Sequence, residues 1–244
     1  LLALRAAPSG PVLLLTEGSL GDGSTRRAQG GIAAAIGAED SVDAHLADTL
    51  AAGAGLCDPA AAATICREGP RQVAALWRRG VAFDRDGAGL RLAREGAHSA
   101  PRVAHAGGDA TGAHIVAALA RAVRADRRVE VLEGERALEV VVRDGRATGV
   151  RAASADGAER VHAARAVALA AGGMGWLWLR TTNGPGATAD GPALAMRAGA
   201  ALADLELMQF HPTALALGES PLALVSEAVR GEGGVLRDAR GRRF

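Results

Sequence analysis

The stretch from Glu17 to Ala34, EGSLGDGSTRRAQGGIAA, constrains the chain more than any other. It follows a short apolar run, Val12 to Leu15, that reads as a buried strand. An acidic residue at the tip of such a strand can accept hydrogen bonds from a ribose hydroxyl pair. Gly21, Gly23, Ser24, Thr25, Gln29, Gly30 and Gly31 come next, then the apolar helix former Ile32-Ala33-Ala34-Ala35. Small residues let a ligand approach the backbone closely, and a helix start offers unpaired N–H groups to an anion. The stretch reads as half of a grip on a dinucleotide. Glycine clusters also mark ordinary turns, so composition alone leaves a plain Gly/Ser loop before a buried helix equally open.

The flanking pattern is that of an α/β chain. Leu1–Ala7 reads as the closing turns of a helix, with Pro8-Ser9-Gly10 as its exit, and Pro11–Thr16 as a strand. Ser41 is an N-cap for a helix running to Gly53. Pro59 opens a helical stretch to Arg79 that Gly69-Pro70 should break in two, because Pro70 has no N–H to give. Val81–Phe83 is expected as a short strand before the turn Asp84-Arg85-Asp86-Gly87. A segment dense in charge, His and Gly follows, from Arg94 to Gly112, and reads as a loop displaying side chains into a site. Thr111 to Ala125 has the spacing of an amphipathic helix, with Ile115, Leu119 and Val123 on one face. Strand patterns then take over at Val129–Leu132, in a hairpin of Ala137–Arg143 and Ala147–Ala153 about Asp144-Gly145-Arg146, and at Glu159–Ala163. Ala166–Ala171, AVALAA, reads as a buried parallel strand ending in Gly172-Gly173, and Asp190 as the N-cap of a helix from Pro192 to Gly199. Parallel strand, antiparallel meander, parallel strand is the order of FAD-binding Rossmann domains, an analogy at the level of fold.

Composition excludes several classes. The net charge is +1 over 244 residues, and the arginines are scattered, so no global field recruits nucleic acid or a membrane. Cys57 and Cys66 are the only cysteines, both in helix-like sequence; two thiols make neither a disulfide scaffold nor a zinc site, and they read as structural. No apolar run reaches the roughly 20 residues of a membrane span, and no signal peptide opens the chain, which makes the cytoplasm the expected setting. The helix tail at Leu1 and the turn just before Phe244 read as the ends of an internal piece of a longer protein, with a first strand and its Gly-rich turn expected upstream.

STRRAQGGIAA at 24–34, REGAHS at 94–99, HAGGDATG at 105–112, AAGG at 170–173, TTN at 181–183, ADGPALAMRAGA at 189–200, QFHPTAL at 209–215 and SEAVRGEGG at 226–234 add up to a pattern. In combination and over nearly the whole length, they resemble the fumarate reductase/succinate dehydrogenase flavoprotein family. REGAHS with HAGGDATG points to its amino-acid-oxidising branch. The resemblance implies a truncated FAD-binding Rossmann-like domain over residues 1–220, with an antiparallel β meander inserted, and the start of a capping domain at 221–244.

The resemblance also implies roles. FAD would be held by Glu17 at the adenosine ribose and by Ser24, Thr25, Arg26, Arg27, Ala28, Gln29, Gly30 and Gly31 along the pyrophosphate and isoalloxazine. Arg136, expected in a turn between strands, would touch the adenine end through its backbone, so that its side chain matters little; Gly172 and Asp190 would contact the cofactor as well. Respiratory members carry a His just before AQGG that bonds covalently to the flavin. Arg26, Arg27 and Ala28 stand there instead, so the FAD is expected to be non-covalent. Gln209, His211, Ser226, Glu227 and Arg230 would approach the substrate, and Glu95 is the candidate partner for a substrate ammonium.

The implied reaction is oxidation of L-aspartate to iminoaspartate, with oxygen or fumarate as acceptor, feeding quinolinate and NAD synthesis, and a functional link to quinolinate synthase. A respiratory-type subunit and a non-catalytic flavoprotein remnant are the alternatives. The missing flavin-linking His weighs against the first, and the presence of Glu95, His211 and Arg230 against the second. The family's catalytic Arg is expected beyond Phe244, so this piece alone is expected to bind FAD poorly and to lack turnover.

Overall fold

A computed structural model describes residues 1–87, 89–211, 213–218, 220–225, 229 and 233–243. In chain order the helices are α1 (Leu2–Ala6), α2 (Val42–Ala52), α3 (Pro59–Arg78), α4 (Thr111–Ala125) and α5 (Asp190–Arg197). The strands are β1 (Val12–Thr16), β2 (Ile32–Ala33), β3 (Arg85–Asp86), β4 (Gly89–Leu90), β5 (Leu92–Ala93), β6 (Val103–Ala104), β7 (Val129–Glu133), β8 (Glu135–Arg143), β9 (Arg146–Ser154) and β10 (Glu159–Ala163). The chain forms two compact units, a first of Leu1–Thr25 with Leu119–Leu224 and a second of Arg26–Ala118 with Val225–Phe244.

The first unit is built on β1 and β7, which pair in parallel from Val12 opposite Val129 to Thr16 opposite Glu133. Ala7, Val123 and Val129 are its buried centre, with Ala3, Leu4, Val12, Leu14, Leu20 and Val131 packed round them. Apolar side chains from helix and strand thus close over one another, as in any βαβ arrangement. The meander follows: β8, β9 and β10 form an antiparallel sheet with β9 in the middle. Its first hairpin turns at Asp144 (φ 50°) and Gly145 (φ 72°), the paired left-handed conformations that an Asp-Gly turn adopts.

Two expectations in this unit are corrected. Ala166–Ala171 is not a strand; it runs outside any ladder and is largely exposed, with Leu169 at 42%. Strand pairing satisfies backbone groups only where a neighbour exists, alanine adds little β preference, and no strand among the described residues lies beside it. Asp190 is not the N-cap of α5: Ala189 holds that place at φ 66°, and Asp190 is the first helical residue.

In the second unit, α2 starts as its sequence demands, with Ser41 Oγ accepting from the Ala44 N–H at 3.1 Å. Asp58 caps α3 in the same way, accepting from Ala60 and Ala61. The expected break in α3 does not occur, and Pro70 lies inside a continuous helix. Gly69 explains this. A proline disfavours helix at the residue before it by crowding that residue's N–H and Cβ, and Gly69 has no Cβ to crowd. Gly69 also falls on the stripe of Ala62, Cys66, Val73 and Leu76 that α3 buries, and there it meets Ala34.

Three further differences concern short elements. Ile32–Ala35 is not a helix start; Ile32 and Ala33 form β2, antiparallel to β6. A partner strand from residues 103–104 outweighs the local helix preference of an alanine run. Val81 and Phe83 are buried, with Ala82 exposed between them, but the segment lies in no strand; the ladder forms later, between β3 and β4. Cys66 is buried in α3 as expected, while half-buried Cys57 lies in the loop before that helix.

Candidate functional site

In the first unit, three predicted cofactor residues converge on one guanidinium. Glu17 follows directly on β1. Arg136 is the second residue of β8, not part of a turn, and Asp190 begins α5. Arg136 Nε lies 4.0 Å from Glu17 Oε1, and its Nη2 lies 3.7 Å from Asp190 Oδ2. All three side chains are exposed to water, Arg136 by 57% and Glu17 by 65%, so these are loose, screened pairs. The N-terminus of α5 sits against the glycine pair: Ala189 N–H donates to the Gly173 carbonyl at 3.2 Å, and Gly191 meets Ala171. That contact brings Gly172 to the same end of α5 as Asp190. A cleft of about 120 Å³ opens between α5 and β8, with Arg136, Asp190 and Arg197 on its wall.

Ser24 and Thr25 lie with Arg26 and Arg27 in one exposed 3-10 turn. In the second unit the Ala28 carbonyl accepts from the Gly112 N–H at 3.0 Å, which ties the segment to the start of α4. Gln29 is half-buried and Gly30 faces open space. Gly31 has no freedom to be anything else, because a Cβ there would lie 2.5 Å from the Ala104 carbonyl oxygen. With β2 in place of a helix, Ile32 and Ala33 pair with β6, and the Ala34 N–H donates to Arg102 O at 2.9 Å. The anion grip expected from a helix start at Ile32 is therefore not offered by those amides.

The first unit's residues fit a flavin dinucleotide. The unit presents an exposed carboxylate at a strand tip, held among the described residues only by the long pair to Arg136, and this position suits ribose hydroxyls. In the same unit Gly23, Gly172 and Gly173 each have open space where a side chain would stand. Close backbone approach by a large ligand needs this kind of cradle.

The predicted ammonium partner, Glu95, is half-buried in the loop between β5 and β6 in the second unit. Beneath that loop lies a network that the sequence did not announce. Arg102 is fully buried and makes a bidentate contact with Asp40, Nη2 to Oδ1 at 2.8 Å and Nε to Oδ2 at 3.0 Å. Its Nη1 donates to Asp48 Oδ2 at 2.7 Å. The same Asp48 oxygen accepts from both Ser99 N–H and Ser99 Oγ, each at 2.7 Å. These bonds, those from Ser99 first and the Arg102 charge after them, hold the Asp48 carboxyl below the ordinary carboxylate range. His45 and His98 meet edge to face at 6.1 Å, and their Nδ1 atoms are buried without a hydrogen-bond partner among the described residues. Burial, then the charge of Arg102 and the neighbouring His98, lowers the pKa of His45; Asp40 and Asp48 oppose the shift. Nearby, Asp84 accepts from Gly107 N–H at 2.9 Å and Gly108 N–H at 3.0 Å, so part of the dense polar segment serves its own loop.

Of the predicted substrate residues in the first unit, Gln209 is exposed and His211 half-buried. His211 Nδ1 accepts from the Thr213 N–H at 3.2 Å. In the neutral ring the proton then sits on Nε2, which leaves Nε2 as a donor. Ser226, Glu227 and Arg230 lie outside the described residues. Among the described residues, no group of three His, Cys, Asp or Glu could hold a metal, and no helix is long and apolar enough to cross a membrane.

The family model for the FAD binding domain matches residues 1–244. The chain belongs to this family. FAD is accordingly the cofactor of this FAD-binding domain. L-aspartate oxidase of Streptomyces coelicolor is 50% identical over 253 residues, spanning 99% of the chain and 43% of the relative. L-aspartate oxidase of Bacillus subtilis is 46% identical over 246 residues, spanning 100% of the chain and 46% of the relative. Among solved structures, a quinol-fumarate reductase with menaquinol molecules superposes with a TM-score of 0.92 at 29% identity, covering 99% of the chain and 42% of that structure. The chain thus spans under half the length of the relatives it matches. The FAD-binding domain has the fold of the fumarate reductase/succinate dehydrogenase flavoproteins.

Proposed function

We propose that the protein containing this domain oxidises L-aspartate to iminoaspartate, with oxygen or fumarate as final acceptor. The observation that carries this reading is the 50% and 46% identity to L-aspartate oxidases over practically the whole chain. Fold alone does not discriminate, since a quinol-fumarate reductase superposes just as completely at 29% identity.

FAD, when bound, supplies the acceptor for the hydride that leaves Cα. The protein's share is to bind, orient and stabilise charge. Glu17 would accept from the ribose hydroxyls, and Ser24–Gly31, the Arg136 backbone, Gly172 and Asp190 would line the rest of the cofactor. Arg26, Arg27 and Ala28 provide no imidazole for a covalent link, so the FAD would be held by contacts alone. The His211 Nε2–H would donate to a substrate carboxylate, with Gln209, Ser226, Glu227 and Arg230 as further polar groups. Two carboxylates on the substrate call for such fixed donors. Glu95 would accept from the ammonium, which succinate lacks. Residues 1–220 would be the FAD-binding part and 221–244 the start of a capping domain. A cytoplasmic setting and a functional link to quinolinate synthase belong to the same reading.

The test uses the full-length flavoenzyme under anaerobic conditions. L-aspartate is expected to bleach the oxidised-flavin absorbance, while succinate at the same concentration leaves it intact. Bleaching by succinate but not by L-aspartate would overturn the assignment in favour of a respiratory-type flavoprotein.

A further inference from the structure

We propose that Arg102, Asp48 and Ser99 form a clamp that positions Glu95, and that this clamp sets selectivity for a dicarboxylate bearing an amine over one without. The inference rests on the reading of Glu95 as the ammonium partner.

The loop from Arg94 to Pro101 is closed at its base, where Arg102 N–H donates to Ala93 O at 3.0 Å. At its corner His98 N–H donates to Glu95 O at 3.0 Å, and Arg94 Nε donates to His98 O at 2.8 Å. One flank is thereby held by the β5–β6 ladder. The other is held by Ser99, whose N–H and hydroxyl both reach the same oxygen of Asp48 on α2. Glu95 sits between these two anchors, two residues after Ala93 at the end of β5 and four before Ser99.

The network's path is the informative part. It begins at the bidentate Arg102–Asp40 pair, where the side chains are 0% and 1% exposed, and ends at Ser99, an exposed loop residue. A buried ion pair is a poor device for stability alone, since well-packed apolar residues serve as well or better. A rigid charged network does provide geometry, and an ammonium partner must be held to a fraction of an ångström. Ser99 and Asp48 are therefore positioning residues, acting on the substrate through Glu95.

The experiment uses the full-length holoenzyme and reads KM and kcat for L-aspartate, the inhibition constant of succinate, and bound flavin. Glu95→Gln is measured first and is expected to raise the KM for L-aspartate with little change for succinate. Ser99→Ala should repeat that signature, with KM for L-aspartate up about tenfold, the effect of one charge-assisted hydrogen bond. Succinate inhibition and flavin content should stay at the parent level, and Ser99→Thr should restore KM. Asp48→Asn should act in the same direction wherever it folds. An equal loss for L-aspartate and succinate, or no change in Ser99→Ala while Glu95→Gln is impaired, would overturn the clamp and leave the Glu95 reading standing. No effect of Glu95→Gln would overturn both.

Discussion

Arg102 and Arg136 each stand between two carboxylates, and the two regions use that arrangement in opposite ways. Arg102 is fully buried, with contacts to Asp40 and Asp48 of 2.7 to 3.0 Å. Arg136 is 57% exposed, and its contacts to Glu17 and Asp190 stretch to 4.0 and 3.7 Å. Water explains the contrast. A desolvated guanidinium must find every partner, because an uncompensated buried charge is very costly, whereas an exposed one can leave its partners at little cost. The first pattern fixes a loop. The second leaves Glu17 and Asp190 able to accept new hydrogen bonds, which their proposed role toward the cofactor requires.

The largest effect should separate the two arginines by stability. Arg102→Ala strands the Asp40 and Asp48 carboxylates and should cost about 3–5 kcal/mol, the usual penalty for breaking a buried pair. Chemical denaturation of the holoenzyme measures it. A loss comparable to that of a surface substitution would mean that the second unit does not bury this network in solution.

Part of this contrast was legible in advance. Asp144-Gly145, the Ser41 cap and the apolar spacing of α4 are local signals, and each produced the element it announced. The parallel strand β1 was readable from its aliphatic run and β7 from the change of period. What stayed hidden depends on partners far along the chain. Arg102 meets Asp40 and Asp48 across 62 and 54 residues, and nothing near any of them marks the pairing. Ile32–Ala33 became a strand because Val103–Ala104 lies beside it. Ala166–Ala171 looked like a strand for want of that information in reverse, since periodicity says nothing about whether a neighbour exists. Pro70 misled for a different reason: one missing N–H does not end a helix whose turns on both sides are held by buried residues, and Gly69 before it has no Cβ to clash. At the site, Glu17 was legible as a strand-tip carboxylate, while Asp190 was expected as the N-cap of α5 and is instead its first helical residue. That Arg136 would join them from within β8 was not legible.

A pH titration sharpens the same comparison from the buried side. His45 faces Arg102, His98, Asp40 and Asp48, and its pKa lies below the ordinary 6.5, chiefly through burial. The unfolded chain therefore binds a proton more readily than the folded one. This contribution to stability is complete above the unfolded value and is lost as pH falls below 6.5 toward the folded value. Asp48 acts in a separate window: its carboxyl is depressed, so its contribution is present above 3.8 and fades as pH drops through the lower folded value. As pH falls from about 7.5 to 5.5, the protection of α2 amides relative to their intrinsic exchange rates should fall, and His45→Gln should flatten that dependence. An unchanged slope in the variant would remove His45 as the cause.

The smallest effect belongs to Arg136. Its replacement by Ala removes two long, solvated pairs, so stability should move by less than about 1 kcal/mol. FAD affinity of the full-length protein should change by less than about fivefold, because the role assigned to this position is carried by its backbone. Glu17→Gln makes the control. It removes a charged acceptor at the strand tip and should weaken FAD binding about tenfold or more, measured by flavin fluorescence during apoprotein titration. If Arg136→Ala instead weakens FAD as much as Glu17→Gln does, the guanidinium takes part in holding the cofactor. The loose geometry would then describe only a resting arrangement, and the two arginines would differ in timing more than in kind.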